Sequence, residues 1–130
     1  MFFQIDPHNG LAIYEQVVRQ VKFAVASETL KTGEMVPSVR EVARELAINP
    51  NTVARAYRQL QDQDVLEAVR GTGLAVAAGA DARCRQERVQ LIGQRLRQTL
   101  VEAKQSRLDL AELRKLVEKE LAAIDDGSED

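Results

Sequence analysis

VREVARELAINPNTVARAYR, residues 39–58, reads as two short helices joined by a tight turn. Ser38 stands just before an apolar-periodic stretch and has Glu41 three residues on, the pattern of a capping box. Pro37 ends whatever precedes it. Val39, Val42, Ala43 and Leu46 then share one face, which leaves Arg40, Glu41, Arg44 and Glu45 towards solvent. A second helix starts almost at once. Asn49 is a preferred N-cap, and Pro50 fits the first helical position, where its missing amide costs nothing. Ala43 and Ala47 are small where the helices are expected to cross closely, and Ile48 is placed to plug the corner.

Val53, Ala56, Tyr57 and Leu60 form the expected buried stripe of the second helix, read as running over residues 49–64. Arg55 lies about 200° round from Val53 at roughly 100° per residue, so it projects away from the core with Asn51, Thr52 and Arg58. Hydroxyl, amide and guanidinium groups are what base edges and phosphates accept or donate to. A helix start adds its own amides and the positive end of its dipole. The segment therefore predicts a helix presented to the major groove of DNA.

After Leu60 and a polar stretch come Val65-Leu66-Glu67-Ala68-Val69-Arg70, then Gly71-Thr72-Gly73, then Leu74-Ala75-Val76. Leu66, Ala68 and Arg70 alternate with Glu67 and Val69 before a glycine-bounded link, which predicts a hairpin. A hairpin directly after a recognition helix is the wing of a winged helix-turn-helix. Arg70 and the backbone of residues 71–73 sit at its tip, where small residues permit close approach to a phosphate or the minor groove.

These ordered blocks, with Ile13-Tyr14-Glu15-Gln16-Val17 in a first helix and Leu30-Lys31-Thr32-Gly33-Glu34-Met35-Val36-Pro37 ahead of Ser38, resemble the GntR family of bacterial transcription regulators over residues 10–77. The resemblance implies operator contacts from Arg40, Asn49, Asn51, Thr52, Arg55 and Gly71. Ser38, Pro50, Arg58, Arg70, Thr72 and Gly73 complete the expected DNA-facing set. Two positions depart from the family pattern: Asp64 stands where Gly is usual just past the recognition helix, and Thr72 where Lys is frequent in the wing. Asp can adopt the left-handed conformation at some cost.

The chain has 130 residues, enough for one modest core, and 45% hydrophobic content suits a folded domain. No apolar run approaches the roughly 20 residues needed to span a bilayer, and MFFQIDPHNG lacks the layout of a signal peptide, so a cytoplasmic location without membrane contact is expected. The formal charge is −2, but four acids fall in the last six residues; the remainder carries 18 basic against 16 acidic side chains. That balance predicts local phosphate contacts in a specific complex and modest affinity for random DNA.

Residues 78–80 read as a small-residue linker after a winged domain at 1–77. From Asp81 a near-heptad stripe, Val89, Ile92, Leu96, Leu100 and Ala103, runs to Lys104; a second, Leu110, Leu113, Val117, Leu121 and Ile124, follows Asp109. Two such helices, residues 81–124, cannot bury both stripes well alone, which predicts a homodimerisation region built on Val89, Ile92, Leu96, Leu100, Leu110, Leu113, Val117 and Leu121. Residues 125–130 read as a disordered acidic tail. The fold class expected is thus mainly α with a small β-hairpin wing and two C-terminal helices. A winged helix with only this short two-helix tail resembles the YtrA subfamily, and the resemblance implies a repressor of a palindromic double-stranded DNA operator.

Other chemistry is sparse. His8 is the only histidine and Cys84 the only cysteine, so a histidine metal cluster, a conventional triad, a thiolate zinc site and an internal disulfide have no residues to form from. No enzyme, metal or cofactor is expected. A redox role for Cys84, with Arg83 and Arg85 lowering its pKa, is an open alternative. So are an unidentified effector bound at the C-terminal helices, in a small-molecule or metal-responsive sensor, and a winged helix that binds protein instead of DNA.

Overall fold

The computed structural model describes residues 3–125. In chain order it contains α1 (Ile13–Ala26), α2 (Val39–Leu46), α3 (Pro50–Asp62), β1 (Leu66–Val69), β2 (Gly73–Val76), α4 (Ala80–Gln105) and α5 (Leu110–Asp125). The chain divides into two compact units, Met1–Val89 and Gln90–Asp130.

In the first unit, Val17, Val21 and Val25 of α1, Val42 of α2, Val53, Ala56 and Leu60 of α3, and Leu66 and Val76 of the hairpin meet in one core. The capping box forms as its spacing predicts: the Glu41 amide donates to Ser38 Oγ at 3.1 Å and the Ser38 amide to Glu41 Oε1 at 2.9 Å. Asn49 Oδ1 accepts the Asn51 amide at 2.8 Å, so Asn49 is the cap of α3 and lies outside the helix. The other end of α3 also falls short of the expected 49–64: Gln63 is the C-cap and Asp64 adopts φ 60°. Asp64 therefore makes the left-handed turn usually given to Gly, and the Arg83 guanidinium donates to its carbonyl oxygen. Ala47 does not mediate a close helix crossing. It is exposed at φ 55° as the left-handed C-cap of α2, and Ala43 alone is buried at the crossing.

The hairpin is antiparallel, with Leu66 opposite Val76 and Val69 opposite Gly73. Its tip is residues 70–72, with Gly71 at φ 75°, a conformation that favours glycine. The expected in-out alternation is not realised along β1. Leu66 alone is buried there, because the strand rises off the core after one residue. The free edge of β2 is covered by residues 33–36: Val36 N–H donates to Leu74 O, Val76 N–H to Glu34 O, and Gly33 N–H to Val76 O. Residues 33–36 thus pair with that edge through one isolated antiparallel bridge, Met35 opposite Ala75, which the sequence pattern did not announce.

Polar side chains also build this unit. Gln16 is buried on α1 and binds the incoming chain: its Oε1 accepts the Asp6 amide, and its Nε2 donates to Asp6 O, Asn9 Oδ1 and Leu11 O. Gln20, one turn on, exchanges hydrogen bonds with the backbone of Gln4.

The expected linker at 78–80 is not a separate element. Ala80 opens α4 and is fully buried, as is Cys84 one turn later. Lys22 of α1, itself buried, pairs with Glu87 of α4 at 2.7 Å. The first ten residues of α4 consequently belong to the winged unit, and the boundary lies after Val89.

In the second unit, the rest of α4 ends at Gln105, and Arg107 at φ 65° turns the chain. Within α5 no residue is buried, and Asp125, assigned to the tail by its charge, is the last residue of that helix. The remainder of the expected tail, 126–130, lies outside the described residues. Leu100, Leu108, Leu110, Leu113 and Val117 line an apolar groove between the end of α4 and α5.

Candidate nucleic-acid interface

Caps and core contacts decide which side chains of α3 face outward. Val53, Ala56, Tyr57 and Leu60 are buried, and the opposite face carries exposed Asn51, Arg55 and Arg58 with half-buried Thr52 between. Tyr57 fixes the helix as well as filling the core: its hydroxyl donates to Pro37 O at 2.7 Å, immediately ahead of α2. Burial, with the Glu41 charge adding to it, pushes the Tyr57 phenol above its ordinary pKa and keeps it a neutral donor.

Two shallow grooves join the remaining candidates. One is lined by Ser38, Val39 and Glu41 from the start of α2, by Tyr57, and by Thr72, Gly73 and Leu74 of the wing. The next holds Arg40, Arg44, Ile48 and Pro50, again with Val39. Wing, α2 start and α3 start therefore share one surface. Ser38, Arg40, Asn49, Pro50, Asn51, Arg55, Arg58, Arg70, Gly71, Thr72 and Gly73 are all exposed. Ser38 Oγ and Asn49 Oδ1 are occupied as caps, which leaves the Asn49 amide NH2 as the group this pair can offer a ligand. Sequence reasoning assigned Arg44 only to solvent, yet it lines the same groove as Arg40 and Pro50.

Glu41 is an acid within this basic strip, but it is committed to its own helix. Hydrogen bonds from Ser38, backbone first and hydroxyl second, hold its carboxyl below the usual range, with Arg44 contributing. Arg55 departs from the simple outward projection. Its Cζ lies 3.7 Å from the centre of the Tyr14 ring, so the guanidinium rests on a half-buried aromatic of α1.

The alternative in which Arg83 and Arg85 lower the Cys84 pKa is not supported. Burial raises the thiol pKa first and Glu87 adds to that, against smaller opposing effects of Lys22 and Arg83. Among the described residues, no group of three or more His, Cys, Asp or Glu side chains could hold a metal ion. Within those residues no helix is long and apolar enough to cross a membrane.

Three helices with a hairpin wing, an exposed helix end rich in amide and guanidinium groups, and two C-terminal helices define a winged helix-turn-helix DNA-binding regulator. Residues 13–76 match the model of the bacterial regulatory proteins of the gntR family. The chain is 33% identical over 120 residues to the HTH-type transcriptional repressor YtrA of Bacillus subtilis (strain 168), covering 92% of each chain. Among solved structures, a GntR family transcriptional regulator from Listeria monocytogenes superposes with TM-score 0.66 at 28% identity, over 88% of this chain and 98% of that one. YtrA from Sulfolobus acidocaldarius, a GntR-family transcription factor, superposes with TM-score 0.57 at 28% identity, over 74% and 97%. The chain belongs to the GntR family, in its YtrA-like branch, and is a DNA-binding transcription regulator, not an enzyme.

Proposed function

We propose that the protein is a homodimeric repressor acting in the cytoplasm on a palindromic operator. The start of α3 enters the major groove, where Asn51, Thr52, Arg55 and Arg58 meet base edges and adjacent phosphates. Arg40 and Arg44 bind the flanking backbone, and Arg70 with the glycine backbone of the wing tip lies against phosphate or the minor groove. The observation that carries this reading is the sidedness of α3, whose apolar stripe is sealed while Asn51, Arg55 and Arg58 on the opposite face stay exposed.

The dimer rests on the second unit together with Val89, the last residue of the first. Val89, Ile92, Leu96, Leu110 and Leu121 are each at least half exposed, with Leu100 and Val117 at 36%. A single chain leaves these apolar faces in water, and a second copy removes them. Two-fold symmetry then places two α3 helices on half-sites about 34 Å apart, which is what a palindrome requires. YtrA of Bacillus subtilis is named a repressor, and its match over 92% of both chains supports the same mode of action here.

Selection of bound sequences from random DNA tests the proposal. A palindrome is expected, together with a dimer in sedimentation at micromolar protein. On that operator, Arg55→Ala weakens binding by about 1–3 kcal/mol and relaxes the preference at one base pair of each half-site. Arg40→Ala weakens all sequences alike and flattens the salt dependence. Recovery of no preferred sequence, or a non-repeated site bound by a monomer, overturns the proposal.

A further inference from the structure

The Tyr14–Arg55 stack is a polar feature of the candidate interface that neither the core nor a cap requires. Tyr14 comes from α1, 41 positions before Arg55, and is half-buried against the core. The Arg55 guanidinium carbon sits 3.7 Å from its ring centre. That separation is one of face-to-face contact, in which the cation meets the negative face of the ring. The arrangement engages the flat of the guanidinium and leaves its in-plane N–H donors at the edges, where a guanine O6 and N7 are met side by side. Within the described residues Arg55 has no ion pair to compete for those donors.

An arginine free in solvent carries substantial rotamer entropy, which must be given up to hold one base edge. A stack formed before DNA arrives removes part of that cost. We infer that Tyr14, which touches no DNA itself, is a positioning residue that pre-orders Arg55 for sequence readout, so that part of the operator specificity of α3 is set from α1. This inference rests on the proposed groove-facing role of α3.

The test is a double-mutant cycle on the full-length protein, read as operator affinity by fluorescence anisotropy, with Tyr14→Phe, Tyr14→Leu, Arg55→Ala and the Tyr14→Leu/Arg55→Ala pair. Tyr14→Leu is expected to weaken operator binding about three- to tenfold, and to flatten the preference at the base pair that Arg55→Ala also flattens. Tyr14→Phe keeps the ring face and stays within about twofold of the parent. In the Arg55→Ala background, Tyr14→Leu adds less than about twofold, because the interaction it removes is already gone. Upfield ring-current shifts of the Arg55 side-chain protons report the stack in the free protein; they persist in Tyr14→Phe and vanish in Tyr14→Leu whether or not DNA is bound.

An equal loss from Tyr14→Leu with and without Arg55 makes Tyr14 a packing residue and overturns the inference. Tighter operator binding by Tyr14→Leu overturns it in the other direction, by showing that the stack holds Arg55 off the DNA. If Arg55→Ala itself leaves operator affinity unchanged, the groove reading of Arg55 falls and takes the inference with it. A flat Tyr14→Leu result beside a strong Arg55→Ala effect removes only the positioning role.

Discussion

Leu60 of α3 and Leu96 of α4 are the same side chain on two amphipathic helices of one chain, yet Leu60 is fully buried and Leu96 is 53% exposed. Around Leu60, short helices, a hairpin and the first turns of α4 close a core from one chain. Around Leu96, a helix of regular apolar spacing meets no equivalent enclosure, and neighbouring α5 buries nothing. Equal periodicity thus leads to unequal burial. The deciding difference is the number of elements available to converge: the winged unit has six, counting the start of α4, and the second unit has the rest of α4 and α5. The first closes on itself, and the second leaves its apolar faces exposed, which is what the proposed dimer would cover.

Truncation of these two leucines separates the cases most sharply. Leu60→Ala should cost the winged unit about 2–5 kcal/mol in urea unfolding, by lost transfer energy and the cavity left behind. Leu96→Ala should leave that transition within about 0.5 kcal/mol of the parent. Leu96→Asp should instead shift sedimentation from dimer towards monomer and weaken operator binding, with the winged unit still folded. A Leu96→Asp protein that remains dimeric would place the interface elsewhere.

The anchor of α4 gives an intermediate effect. Lys22 is buried with its ammonium on Glu87, whose side chain is 37% exposed. Glu87→Gln should destabilise the winged unit by about 1–2 kcal/mol, because it leaves a buried cation with a weaker neutral partner. Glu120→Gln, on the exposed face of α5, should change stability by no more than a few tenths of a kcal/mol. Joint replacement, Lys22→Met with Glu87→Leu, should recover most of the loss, since no charge then remains to be solvated. A Glu87→Gln protein as stable as the parent would mean that solvent reaches Lys22 and that the seam between α1 and α4 is open.

The same distinction explains what could be read from the sequence. Helix starts at Ser38 and Asn49, the stripe of α3, the left-handed Asp64 and the glycine-bounded wing are local features, set by residues within a few positions of one another. Their chemistry is complete in a short window. The outward face of α3, with Asn51, Arg55 and Arg58, was legible for the same reason, since a sealed stripe defines its opposite face. What escaped was polar and distant. Gln16 and Gln20 look like solvent-facing positions of an amphipathic helix until the incoming chain lies against them. Lys22 finds its partner 65 residues away, and residues 33–36 pair with β2 only because that strand has an open edge. Small residues at 78–80 signalled a linker, but they also permit close packing at the start of a helix, and buried Ala80 uses them in that way. The stack of Arg55 on Tyr14 joins two helices by a contact that neither helical pattern contains.

The smallest expected effect concerns the start of α2, which carries Ser38 and Arg40, both in the proposed DNA-facing set. Its cap is local and titratable, whereas α5 starts with a backbone bond from Leu113 N–H to Asp109 O. The folded Glu41 carboxyl lies below the ordinary value of 4.5 because it accepts hydrogen bonds from Ser38. A lowered folded pKa means that the stabilisation is present above the unfolded value and fades as pH falls through the folded one. Carboxyl NMR should therefore show Glu41 titrating below 4.5 in the parent and closer to it in Ser38→Ala, where the hydroxyl is lost and the backbone donor stays. Glu41→Gln, which still offers an oxygen to the Ser38 amide, should keep the helix start while removing its share of the acid sensitivity. If Ser38→Ala leaves the Glu41 titration unmoved, the hydroxyl does not stabilise the Glu41 carboxylate. The position of Arg40 would then rest on the Ser38 amide bond to Glu41 and on the core contacts of Val42 and Ala43.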